Sequence, residues 1–167
     1  MHRRGMTTWA DATTAAPDLA ADVRRRFEDV GMGFLATLRQ DGSPRISGIE
    51  LFFHDDEVWL GMMWDSRKAL DLRRDPRCSV QAGSADKEVK AGDARLSGRG
   101  VEVDDEAVKA RIGAAVAEVS EFDPNVHSPW HLFRLDVTEL YFLRPEGDHL
   151  DLRWWTPEGG VRRHERR

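Results

Sequence analysis

The stretch "SRKALDLRRDPR", residues 66 to 77, gathers Arg67, Lys68, Arg73, Arg74 and Arg77 in a chain that is acidic overall. Ser66, Arg67 and Lys68 stand together, after a strand-like run and at the start of a short helical pattern. A helix N-terminus offers unpaired N–H groups and positive potential, which suit an anion. Ser66 can cap the helix or donate its hydroxyl. Arg67 can lay a planar fork on two oxygens, and Lys68 adds a compact charge. The chemistry this predicts is the holding of a phosphate monoester; the alternative is an ordinary capped helix with exposed charges. Arg73, Arg74 and Arg77 fall to the solvated face and the following turn.

Arg45 is a second candidate for the same anion. It shares a strand face with Ser47, because alternate residues of a strand point the same way; the alternative is an exposed strand arginine. Other chemistry finds little support. His131 and His149 lack the spaced Cys, His or carboxylate partners of a metal site, and His127 with "SPW" reads as a loop. There is no Ser-His-Asp order, Walker loop or dinucleotide-binding glycine signature. Cys78 is the only cysteine and lies in an apolar run, so it reads as a small core residue rather than a nucleophile.

These residues need a scaffold, and the 167-residue length suits one domain. With 25 Lys+Arg against 30 Asp+Glu the net charge is −5, which argues against a polycationic surface for nucleic acid. No apolar run is long enough for a membrane span. Residues 1–17 lack a hydrophobic signal core and read as a flexible N-terminal tail, so the expectation is a soluble cytoplasmic protein with one domain over 18–167. Leu19, Val23, Phe27 and Val30 keep helical spacing up to Gly31. "MGFLATLRQ" and "PRISGIELFF" flank "DGS" as a hairpin, and "EVWLGMM" completes a meander. Further strands are expected at "RCSVQAG", "DARLSGRGVEV" (with a bend among its small residues), "WHLFRLDVTELYFLR" and "DHLDLRWW". A helix is expected at "DDEAVKARIGAAVAEV". Six or seven antiparallel strands with two or three helices make a mainly β fold with α, a small closed barrel.

This order of elements resembles the pyridoxamine 5'-phosphate oxidase-like, FMN-binding split barrels, from about Val23 to Arg166. The carrying stretches are "ATLRQDGSPRIS", "SRKALDLRRDPR", "ARLSGRGVEV" and the tail "WWTPEGGVRRHER". The resemblance implies FMN held between two subunits of a homodimer, with Ser66, Arg67, Lys68 and Arg45 at its phosphate. It puts Ser47, Gly48 and Ile49 beside the cofactor and the backbone of Gly61 and Met62 at the isoalloxazine. It also implies Trp155 stacked near the cofactor, Arg166 supporting it, and Arg162 and His164 facing a small-molecule substrate. Two departures stand out: Glu50 occupies the place of a phosphate-binding lysine, and Arg163 that of a leucine. Three activities are implied. They are an FMN-dependent oxidoreductase, a reductase using the deazaflavin coenzyme F-420, and a non-catalytic flavin-binding protein.

Overall fold

A computed structural model describes residues 7–167. The chain opens with α1 (Trp9–Ala15) and α2 (Pro17–Val30). A meander follows, made of β1 (Gly33–Leu38), β2 (Pro44–Ile49), β3 (Leu51–His54) and β4 (Glu57–Met63). Next come α3 (Arg67–Arg74), β5 (Arg77–Ala82), β6 (Asp93–Glu102) and α4 (Glu106–Val119). A short 3-10 turn at Pro124–His127 leads into β7 (Trp130–Glu146), β8 (His149–Thr156) and β9 (Gly160–Arg166). The nine strands form one antiparallel sheet in the order β2-β1-β5-β6-β7-β4-β3, with β8 and β9 branching from β7 as a ribbon.

The expected fold class holds, and local chemistry explains most of the elements. Gly31 ends α2 with φ 70°, a value that costs glycine little. Asp105 caps α4 by accepting from the amides of Ala107 and Val108. The bend expected in "RLSGRG" is a register shift between Ser97 and Gly98, where a Cβ on Gly98 would overlap the Asp136 carbonyl. The core joins Leu19, Val23 and Phe27 of α2 to Leu35, Val80, Leu96 and Leu140 of the sheet.

Three expectations need correction. The flexible tail expected over 1–17 is helical in its second half, and Trp9, Ala12 and Ala16 are buried; residues 1–6 lie outside the described residues. Thr8 and Asp11 form a reciprocal capping box, and Trp9 packs edge-on against Phe53 at 5.0 Å. The strand expected over "PRISGIELFF" is broken at Glu50 into β2 and β3. The basic end of the tail is an ordered strand, β9, which raises the strand count to nine. Among the described residues no helix is long and apolar enough to cross a membrane, and no His, Cys, Asp and Glu cluster suits a metal ion.

Candidate functional site

β4 ends at Met63, and the turn through Trp64 and Asp65 (φ 54°) delivers the chain to the start of α3. Ser66 is the N-cap residue, extended at φ −61° and ψ 142°, yet its side chain makes no capping bond. Its hydroxyl oxygen is buried and finds no partner within the chain. The carbonyl of Ser66 takes its first helical hydrogen bond from the Leu70 amide at 3.1 Å. The amides of the first turn therefore point outward without helical acceptors. Arg67 is exposed beside them. Lys68 is half-buried, its Nζ donates to the Gly48 carbonyl at 2.6 Å, and burial pushes its pKa down. An orphaned buried hydroxyl costs free energy unless something bonds it. That hydroxyl, two cations and outward amides at one helix end fit an oxyanion.

Arg45 reaches this region differently from the expectation. Its Nε donates to Asp71 Oδ2 at 2.7 Å, so part of the guanidinium is spent inside the protein. Asp71 is buried on α3 and also accepts from Thr37 Oγ1 at 2.9 Å and Arg74 at 3.3 Å. Burial works against ionising Asp71. The bonds from Arg45, Thr37 and Arg74 outweigh it and hold the carboxyl below the usual range. Asp71 thus ties α3 to β1 and β2. Ser47 lies on the Arg45 face of β2, half-buried, as the alternation required.

The sequence reading passed over a second anchor. His131, on β7, is buried; its Nδ1 meets Glu102 Oε1 at 2.7 Å, and its Nε2 accepts the Asp65 amide at 3.2 Å. Trp64 stacks on the imidazole at 4.5 Å and 5°. Glu102 also takes Arg73 Nε on its other oxygen at 2.7 Å. The turn that presents Ser66 is therefore pinned from β6 and β7. Arg73, Arg74 and Arg77 are all engaged, with Glu102, with Asp71 and the Leu38 carbonyl, and with Asp75. Cys78 is half-buried against the core, and desolvation pushes its thiol up to about 12, which suits the core role expected of it.

Gly61 and Met62 line a cavity of about 620 Å³ that Lys68 and Glu50 also line. Gly61 is exposed, and a Cβ there would lie in ordinary van der Waals contact with the Trp130 ring, 3.6 Å away. Glu50 is exposed and lines the same cavity, where a carboxylate repels a phosphate that approaches it.

The tail residues do not join this site within one chain. The site's end of β7 is Trp130, opposite Met63, whereas Arg162 lies beside Trp154, which pairs with Tyr141. Eleven residues of β7 at about 3.3 Å each separate the two ends. The set also divides between two faces, because directly opposed residues share a face. Trp155 is buried in the core rather than stacked at a surface. Arg162, His164 and Arg166 oppose Trp154, Leu152 and Leu150, so the aromatic on their face is Trp154. Arg163 turns the other way and binds buried Asp151 at 2.5 Å.

A sequence model of the pyridoxamine 5'-phosphate oxidase family matches residues 19–144, which leaves the tail outside the matched stretch. A conserved hypothetical protein from Mycobacterium tuberculosis is 25% identical, with a TM-score of 0.60 over 70% of this chain and 79% of its own. A pyridoxamine 5'-phosphate oxidase-related, FMN-binding protein from Nostoc punctiforme is 15% identical, with a TM-score of 0.63 over 91% and 96%. A heme-binding protein from Mycobacterium smegmatis is 18% identical, with a TM-score of 0.57 over 87% of each chain. At these last two identities the likeness is one of fold.

Proposed function

We propose, from the premise that this chain belongs to the pyridoxamine 5'-phosphate oxidase family, that it is an FMN-dependent oxidoreductase acting on a small molecule. The observation that carries the reading is the buried, unpartnered hydroxyl of Ser66 at the head of α3, flanked by Arg67 and Lys68. Ser66 donates its hydroxyl to the cofactor phosphate, and Arg67 and Lys68 neutralise it. Arg45 adds its remaining guanidinium nitrogens while Asp71 fixes its position. Gly61 and Met62 line the cavity where a ring would lie. When bound, FMN supplies the hydride or electron transfer, and the protein supplies binding and orientation. The engagement of Arg73, Arg74 and Arg77 with carboxylates of the chain favours one terminal phosphate over the longer anionic tail of coenzyme F-420.

The test compares two variants by FMN titration, with circular dichroism to check the fold. Arg67→Ala with Lys68→Ala removes the cradle, and Arg77→Ala removes a cation of the same segment that binds only Asp75. Loss of one charge-assisted contact at about 2 kcal/mol corresponds to roughly thirtyfold in affinity. The double variant should lose at least that, and Arg77→Ala should bind FMN normally. Unchanged affinity in the double variant contradicts the site. A heme-type absorption band in the purified protein, with no flavin bound on titration, contradicts the cofactor.

A further inference from the structure

The two ring nitrogens of His131 are not interchangeable. A backbone amide can only donate, so the Asp65 N–H, 3.2 Å from Nε2, requires that nitrogen to be unprotonated. The ring proton therefore sits on Nδ1 and points at Glu102 Oε1, 2.7 Å away. Glu102 is fixed in turn, because its other oxygen takes Arg73 Nε of α3 at 2.7 Å. The imidazole is 2% exposed, so water does not stand in for either bond.

The turn that rests on this ring has an awkward backbone. Residues Met63 to Ser66 form a β-turn closed by the Ser66 amide on the Met63 carbonyl at 3.1 Å. Asp65 sits in it at φ 54°, in a position that such turns give to glycine or asparagine. Both central residues lean on the one imidazole: Trp64 stacks on it and Asp65 donates to it. The Ser66 amide is spent on closing the turn. What the head of α3 offers an anion is then the orphaned Ser66 hydroxyl and the amides that follow it.

We infer that His131 is the positioning residue of the phosphate cradle, acting through its Nε2 bond to the Asp65 amide, a role that rests on reading the head of α3 as the FMN phosphate site. It is too deeply buried to touch the ligand. It holds Asp65 in the left-handed conformation and so keeps the Ser66 hydroxyl and the first-turn amides directed at one point. The consequence is selective. Without that bond the turn relaxes and the groups that meet the phosphate lose alignment, whereas Gly61 and Met62 stay in the β4–β7 ladder where the ring would lie.

Two substitutions separate the nitrogens. In His131→Gln the side-chain oxygen falls near the place of Nε2 and accepts the Asp65 amide. In His131→Asn the shorter amide falls near the place of Nδ1 and meets Glu102 alone. Both remove the ring under Trp64, so their difference isolates the Asp65 bond. FMN and riboflavin are titrated calorimetrically into wild type and both variants, with circular dichroism to check each fold. His131→Asn should weaken FMN roughly tenfold, the scale of one hydrogen bond to a buried group, and riboflavin less than about twofold. His131→Gln should return FMN to within about threefold of wild type. Nitrogen NMR of the labelled wild type adds a readout that needs no variant to fold. Nε2 of His131 should resonate as an unprotonated ring nitrogen, and FMN should shift the Asp65 amide more than riboflavin does. The reversed tautomer overturns the inference, as does an Asp65 shift no larger with FMN. Equal losses of FMN and riboflavin in His131→Asn, or a His131→Gln as weak as His131→Asn, also overturn it. A wild type that binds FMN and riboflavin equally sinks the phosphate reading and this role with it. A wild type that prefers FMN, beside variants that keep the full preference, sinks this role alone.

Discussion

Asp71 sits among cations and is buried, so its carboxyl governs how α3 is held. Its folded pKa lies below its ordinary value, because the bonds from Arg45, Thr37 and Arg74 outweigh burial. A depressed carboxylate contributes stability that is present above the unfolded pKa and is lost as pH falls through the folded one. The wild type should therefore lose stability on acidification below about pH 4, the ordinary aspartate value. Asp71→Asn should start less stable and show a flatter dependence over that range, as read by urea unfolding at stepped pH. Parallel curves for the two proteins would remove Asp71 from the account. Ser66, Arg67 and Lys68 were legible in the sequence because their meaning is local: three adjacent residues at a helix start. Asp71 and His131 were not, because their partners lie far away in sequence. Arg45 is 26 residues from Asp71 and Asp65 is 66 residues from His131, and only the folded sheet brings them together.

Elements follow the same division between local and distant causes. The hairpin at Asp41–Gly42, the stop at Gly31 and the bend near Gly98 each came from residues that leave the backbone few choices. Thr8 and Asp11 also spell a capping box, but the small residues of "ADATTAA" hid the helix that this box begins. β9 was hidden for another reason. Its side chains are exposed throughout, so no alternation of apolar residues marks it, and its pairing with β8 alone makes it a strand. Gly98 offers the sharpest test at this scale. A Cβ there would overlap the Asp136 carbonyl, which is backbone and cannot swing aside. Gly98→Ala should destabilise the protein by about 1–3 kcal/mol, the usual cost of overpacking. Thermal unfolding within error of the wild type would mean that the bulge between β6 and β7 can relax.

On the scale of the whole molecule, apolar side chains remain uncovered beside the site. Met32, Phe34, Ile46, Met63 and Trp64 are all exposed, on or next to β1, β2 and β4. The basic ribbon of β8 and β9 lies at the far end of β7, out of reach of its own cradle. A two-fold arrangement would cover the first group and could bring one protomer's Arg162, His164 and Arg166 toward the partner's site. The prediction is a homodimer at micromolar concentration by light scattering, and a monomer with FMN present would contradict it. The central claim is that the head of α3 holds a phosphate. It is tested most directly by calorimetric titration of the cofactor-free protein with FMN and with riboflavin, which differ by that group. Two charge-assisted contacts at about 1.5–3 kcal/mol each predict that FMN binds a hundredfold or more tightly. Equal affinity for the two would show that Ser66, Arg67 and Lys68 hold no phosphate.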